Sequence, residues 1–430
     1  MSARRRLKTL VGAASVVYAS NDAQRQTGIS RAKSLAQLAE REKITGLFTA
    51  DLLQSDPNGL AGYTGSQDPI VTLAALSAVT EQIGLIATVS TTYQHPYNLA
   101  RFIGTLDHVS GGRAGWNAVT SSVGEENFGD ITLPDPAARY ARATEFVEVI
   151  NALFDANETD AVLRLNSGSV SVDPRKLHPI HHRGDFFQVQ GPLNVPPPPQ
   201  QRPVQFQAGQ SEEGLKLGAR LAEVIYTSQP TLDDALGFVA RVRQYASTYG
   251  RHNNQPFIMN SFHSIIGDSD ADVARRLRDK HERIDYQRGR LQVADMLGGE
   301  IDLSELALDQ PIPVHFLPEV GQINRRRGRA EIFKRYALQG LTLRELIIQA
   351  QETGHWFVAG TPEKLADAIE ERYRAGVLDV ISLHGLGQPD QEDLLINGLL
   401  PALRKRQLID DDYLGEDFRS NLELPVIKRG

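Results

Sequence analysis

Neutral hydrogen-bonding residues recur where short apolar runs of this chain end. Asp51 closes "GLFTAD", Thr88 and Ser90 lie in "IGLIATVS", Trp116 and Asn117 in "GRAGWNAV", and Gly209 to Ser211 in "AGQSEEG". Only Asp51 carries a charge, so the chemistry open to this set is positioning and hydrogen bonding rather than nucleophilic attack. In "AGQSEEG" a glycine ends an apolar run and Ser211 can cap a following helix, whose first N–H groups suit a phosphate. The same residues also describe an ordinary turn in which Ser211 is the N-cap and Glu212 and Glu213 favour the positive helix end. Asp51 is open to two readings as well, an acceptor for a donor on a bound heterocycle or a turn-forming carboxylate.

Other chemistries lack their residues. His178, His181 and His182 suggest a metal, but Pro179 keeps them off one helical face and no carboxylate or cysteine completes a set, so they read as loop histidines and the expectation is no metal. No G-x-G-x-x-G follows the first apolar run, and neither a G-x-x-x-x-G-K nor a G-x-S-x-G is present. The chain has no cysteine, which removes disulfides, thiolate nucleophiles and iron–sulfur clusters. Redox chemistry would need a borrowed cofactor.

The elements that must carry these residues alternate. Apolar runs at Leu7–Val17, Ile44–Asp51, Ile83–Ser90, Gly112–Val119, Pro203–Gly209, Ala222–Ser228, Phe257–Gly267 and Val377–Gly385 read as buried strands. Helical patterns separate them: Ser30–Glu42 puts Leu35, Leu38 and Ala39 on one face, Asp68-Pro69 starts the next helix, and Thr361-Pro362 starts a late one. About eight strands alternating with helices predict a closed (β/α)8 TIM barrel, an α/β fold whose reactive groups lie at the C-terminal strand ends. Two stretches break the rhythm. Residues 172–203 hold a Gly184-Asp185 hairpin and a proline run, and residues 285–355 are helical and polar; both are expected as insertions over the C-terminal face, within a single domain spanning 1–430 with a tail at 404–430.

With 430 residues, 41% hydrophobic and 23% charged, the chain is that of an ordinary soluble globular protein. No run reaches the roughly 20 apolar residues that span a bilayer. A formal charge of -7 gives nucleic acid no basic footprint. "MSARRRLKTLVGAASVVYASNDA" has the look of an export signal, but its apolar middle is short and interrupted, and it reads as the first strand of a cytoplasmic protein.

Those same strand ends carry a family resemblance. "TEQIGLIATVSTTYQHPYNLARFIGTLDHVSGGRAGWNAVTSSVGEENFG", with "ARYARATEF", "HHRGDFFQVQGPLNVPPPPQQRPVQFQAGQSEEG" and "LPALRKRQLIDDDYLG", resembles the bacterial-luciferase-like flavin monooxygenases of the nitrilotriacetate monooxygenase, dibenzothiophene sulfone monooxygenase and pristinamycin synthase group. The resemblance implies a TIM barrel that takes reduced FMN (FMNH2) from a separate NAD(P)H:flavin reductase, reacts it with O2 through a flavin hydroperoxide, and oxygenates a small organic substrate. A homodimer or homotetramer is expected, and charge and run length have already set aside a nucleic-acid or membrane partner. Carried over by position, Asp51 contacts the flavin, Thr88 and Ser90 its ring region, and Tyr140 with Gly209 and Ser211 the phosphate. Asn117, with Trp116 beside it at the mouth, lies against the isoalloxazine or substrate as the catalytic residue. Pro136 stands where the family usually has a histidine near the phosphate, and "VVYASNDAQRQTGIS" lacks the family's His and Trp-Arg pair, so substrate identity does not carry over. Two other readings remain: hydride transfer with deazaflavin F420, or flavin binding without oxygenation.

Overall fold

The computed structural model describes residues 5–12, 28–55, 67–129, 132–164, 168–252, 255–299, 301–323 and 327–427. Eight parallel strands close on themselves: β1 (Lys8–Gly12), β2 (Gly46–Thr49), β3 (Gly84–Ser90), β4 (Ala114–Val119), β5 (Val204–Ala208), β6 (Val224–Thr227), β7 (Phe257–Ile266) and, after the short strand β8 (Trp356–Gly360), β9 (Val380–Leu383). Each of the eight pairs with its neighbour, and β9 pairs with β1 through Lys8↔Val380 to Val11↔Leu383. The fold is the expected (β/α)8 barrel. The strand read over Leu7–Val17 is β1 as far as Gly12, and its remainder lies outside the described residues.

β8 is one strand of this parallel sheet that sequence reasoning missed, as it also missed the small hairpin of Val162–Arg164 with Val170–Val172. β8 pairs only with the upper half of β7, Phe262↔Trp356 to Ile266↔Gly360, because β7 is ten residues long and outruns β9. The "HWFVAG" run that forms it is short and sits between helical segments, so its periodicity is indistinct.

The helices against the barrel are α1 (Gly28–Arg41), α2 (Pro69–Ser77), α3 (Pro96–Ser110), α4 (Pro136–Asp155), α5 (Glu212–Leu221) and α6 (Leu232–Thr248). α7 (Asp270–Glu282), α8 (Tyr286–Met296), α9 (Arg327–Leu338) and α10 (Leu343–Ala350) lie between β7 and β8, and α11 (Pro362–Arg374) precedes β9. Asp68 caps α2 through Val71 N–H at 2.9 Å, with Pro69 at its first position. Thr361 occupies the N-cap position of α11 without a side-chain bond. Among the described residues, no helix is long and apolar enough to cross a membrane.

Strand alternation sorts the side chains. Outward residues such as Leu47, Leu85, Ala87, Trp116 and Ile381 join the helices in one large apolar cluster. Inward residues Leu10, Ile86, Val204, Phe206, Val224, Met259 and Val380 fill the lower barrel. There the C-terminal segment inserts Phe418, fully buried, its ring stacked 6.2 Å from Phe206. Three neighbouring strands make room with glycine: a Cβ at Gly46, Gly84 or Gly115 would come within 3.3, 2.2 and 3.1 Å of that ring. The buried Lys8 ammonium is held at the same end by Asp410 and Glu423, each at 2.8 Å.

The two stretches that broke the rhythm differ. Residues 285–355 are not polar throughout; Val293, Leu297, Phe333, Leu346 and Ile347 build a core of their own. The stretch 172–203 does contain a hairpin, His182–Arg183 with Gln188–Val189. It then descends the outer flank of α3 and α4 instead of covering the mouth: Phe187 packs on Phe146, Tyr97 bonds Pro192 O, His108 bonds Pro196 O, and Gln200 reaches Asp107. A proline-rich strand makes few hydrogen bonds of its own and rests on a flat helical surface, which is why its composition resembled a lid.

Phe418→Ala is expected to cost about 3 to 5 kcal/mol in urea unfolding, since it empties the barrel floor. Gly84→Ala should cost about 1 to 3 kcal/mol by overpacking the same ring. In the double variant the two losses should fall short of their sum, because the first removes what the second strikes; strict additivity would show that the ring and Gly84 do not share this space.

Candidate active site

Above the apolar floor the inward positions turn polar: Thr88 and Ser90 on β3, Asn117 on β4, Tyr226 on β6, Ser261 and His263 on β7, and Ser382 on β9. The lower end is filled by Phe418, so the C-terminal end of the barrel is its mouth, as this fold requires of a site.

One arc of the mouth, β2 to β5, brings together most of the residues singled out by sequence. Thr88 and Asn117 are register partners, and Asn117 Nδ2 donates to Thr88 Oγ1 at 3.1 Å. Among the described residues, Asn117 Oδ1 is buried with no hydrogen-bond partner. Ser90 Oγ accepts from Ser121 Oγ at 2.7 Å and from the Thr92 and Tyr93 amides, which folds the β3 loop over. Arg139 donates to Ser121 O at 3.1 Å, tying the first turn of α4 to this loop. Tyr140 follows in that turn, and its hydroxyl lies 2.8 and 2.9 Å from where a Cβ would stand on Gly209 and Gly214. The phenol thus occupies a notch that only glycine leaves open. Ser211 caps α5, its Oγ accepting from Gly214 N–H at 3.2 Å, which leaves the hydroxyl proton free to donate. Glu213, whose Oε2 is a buried atom without a partner among the described residues, lies on the same turn and opposes an anion there.

Asp51 stands two residues beyond β2, half-buried, and no bond joins it to Thr88 or Asn117. Burial, with Asp68 adding repulsion, pushes its carboxyl up to about 6. Trp116 does not reach the mouth. Alternation turns it to the opposite side from Asn117, where it is 1% exposed with its ring 6.4 Å from Phe146 of α4. Pro136 is the first residue of α4 behind the Asp135 cap, a place where its missing N–H costs nothing. His178, His181 and His182 go to separate partners, Glu158, Gln190 and Glu145.

The other arc was not foreseen. His263 on β7, His384 just past β9 and His355 just before β8 form a cluster, with His263 centred 4.3 Å from His384 and 4.7 Å from His355. His355 Nδ1 bonds Ser228 Oγ at 2.7 Å, His384 Nε2 bonds Ser261 Oγ at 3.0 Å, and His263 Nδ1 bonds Glu352 Oε2 at 3.0 Å, with Lys280 on the other carboxylate oxygen. Burial, then neighbouring positive groups, holds His355 well below the usual imidazole range and His384 down to about 4. Each histidine borders an apolar strand, "NSFHSII", "GHWFVAG" and "VISLHG", and that was the available signal. Nothing in their spacing said that three strands would bring them together.

The profile of the luciferase-like monooxygenases matches residues 12–379. The chain belongs to that family. It is 36% identical over 400 residues to N-acetyl-S-(2-succino)cysteine monooxygenase of Bacillus subtilis, covering 92% of this chain and 90% of that one. To nitrilotriacetate monooxygenase component A of Aminobacter aminovorans it is 33% identical over 429 residues, covering 95% and 92%. Among solved structures, a riboflavin lyase with modified FMN and riboflavin superimposes with a TM-score of 0.84 at 27% identity, covering 99% of this chain and 98% of that one. The chain is therefore an enzyme, a flavin-dependent monooxygenase of the luciferase-like family.

The Asp51 shift has a measurable consequence. A carboxyl whose folded pKa lies above its unfolded value stabilises most at low pH, and the contribution is lost as pH rises from about 4 through about 6. Asp51→Asn should remove that step from a plot of stability against pH and leave the protein relatively more stable at pH 7 than at pH 4. An unchanged profile would place Asp51 in solvent.

Proposed function

We propose that this chain is the oxygenase component of a two-component system. It takes reduced FMN from a separate NAD(P)H:flavin reductase, binds it in the β2–β5 arc, and transfers one atom of O2 to a small organic substrate. The observation that carries the reading is the orphaned Asn117 Oδ1, a buried acceptor facing the mouth with its amide nitrogen already committed to Thr88. Leaving such an atom unpaired costs about 1 to 3 kcal/mol, and a ring N–H of a bound flavin is a partner that would restore it. The glycine notch around Tyr140 and the spare proton of Ser211 suit the phosphate end, so the residues present fit FMN.

In this reading Asn117, held by Thr88, fixes the ring and orients the bound pair, and Ser90 holds the loop that bounds it. Asp51 sits at the rim with a carboxyl whose protonation changes close to neutrality, so it can offer or accept a hydrogen bond. Gly209 and Gly214 let the backbone approach, while Tyr140 and Ser211 donate to phosphate oxygens. When bound, reduced FMN would supply two of the four electrons that O2 takes up, the substrate giving the other two as one oxygen joins it and the second leaves as water; the protein supplies position, hydrogen bonds and exclusion of water. The component named in the Aminobacter relative supports the two-component arrangement, and the absence of a G-x-G-x-x-G after β1 agrees with leaving NAD(P)H to a partner.

Anaerobic titration with photoreduced FMN tests the assignment. Ser211→Ala should weaken FMN by about 1 to 2 kcal/mol, one hydrogen bond to a charged group, and leave riboflavin unchanged. An equal loss for riboflavin would remove Ser211 from the phosphate. Asn117→Ala should weaken both flavins alike. Tight binding of F420 in preference to FMN, or binding with no O2 consumption by the reduced complex, would overturn the oxygenase reading.

A further inference from the structure

The flavin reading uses one arc of the mouth and leaves His263, His355 and His384 without a task. Each ring is fixed through one nitrogen, to Glu352, Ser228 and Ser261 respectively, and the second nitrogen of each has no hydrogen-bonding partner among the described residues. When the two serine hydroxyls donate, the free nitrogens of His355 and His384 carry N–H groups. The charged groups around the cluster are few. Glu352 is already claimed by Lys280 and His263, Arg329 adds a positive field at His355, and the Tyr226 ring lies 6.1 Å from His355. His355 and His384 thus each offer a spare N–H, and Glu352, the carboxylate bonded to His263, is already balanced by Lys280.

We propose that His263, His355 and His384 form a subsite for a carboxylate group of the substrate, which binds there together with one proton. The word substrate rests on the oxygenase reading; the anion site itself does not. Two observations favour a singly charged group. The rings stand 4.3 and 4.7 Å apart, so two imidazolium charges would repel strongly and the neutral cluster takes up one further proton at most. One proton balances a carboxylate but not a phosphate dianion. The planar carboxylate also offers two oxygens to two N–H groups. His355 and His384 are neutral at pH 7 because burial and their positive neighbours disfavour the charged form, and an arriving anion reverses that preference, so proton uptake accompanies binding.

Isothermal titration of the full chain with propionate at pH 7, with and without oxidised FMN, tests this. Repeating it in two buffers of different ionisation enthalpy should show about one proton taken up per propionate. Affinity should fall as pH rises, by at most about tenfold per pH unit, and propionamide should not bind. His355→Gln and His384→Gln should each weaken propionate about tenfold or more and abolish proton uptake, with FMN affinity and melting temperature held. The inference is overturned by no propionate binding in either condition, by binding without proton uptake in the unaltered chain, or by propionamide binding as well as propionate. The two readings fail separately: propionate binding by a chain that does not bind photoreduced FMN removes the flavin assignment alone, and binding of photoreduced FMN without propionate binding removes this subsite alone.

Discussion

Closure of eight strands assigns every inward side chain to a space with no way out except the ends. A barrel interior of this width is filled rather than hollow, so its lower half must be packed by side chains. Here three adjacent strands contribute glycine at that level, and the chain's own C-terminus fills the gap with Phe418. The Arg419–Glu223 ion pair and the bond from the Arg419 amide to Gln200 Oε1 hold the segment in place. With the floor occupied, only the upper inward positions can meet a ligand, and those are the polar ones. The location of the site follows from packing at the opposite end.

The same alternation explains which parts of the molecule were legible in sequence. Continuous apolar runs gave away the eight barrel strands, because strands buried on both faces read without interruption. Asp51, Thr88, Ser90, Asn117, Gly209 and Ser211 were visible since they lie at the ends of such runs, whereas Tyr140, inside α4, came only from the family resemblance; β3 and β4 pair so as to join Thr88 to Asn117. Trp116 was misplaced because arrival at a strand end says nothing about which face a residue takes; Gly115 on the Phe418 ring settles the parity of β4. The proline run was misread as a lid from composition alone. The histidine cluster was beyond reach for a different reason. His355 directly precedes a strand that exists only because β7 extends past β9, and Glu352 enters from the helical stretch between them. Contacts created by one long strand and an insertion leave no periodic trace.

The titratable groups of the mouth respond to one cause in opposite directions. Desolvation favours the neutral form of any group, so it raises the Asp51 carboxyl to about 6 and lowers His384 to about 4. At neutral pH the histidine arc carries no charge of its own on His355 or His384, and its one bonded carboxylate is balanced by Lys280. Such a chamber suits chemistry in which a bound cofactor holds the reactive oxygen, because stray protons and water there divert the reaction. A protein that instead performed acid–base catalysis on its own account would be expected to poise a group near pH 7 beside the reacting atoms. Asp51 comes nearest to that, yet it lies beyond the strand end and touches neither Thr88 nor Asn117. The sparse charge at the centre and the titratable carboxyl at the rim therefore describe a binding chamber first, in which specificity rests on where hydrogen-bond donors and acceptors were left unpaired.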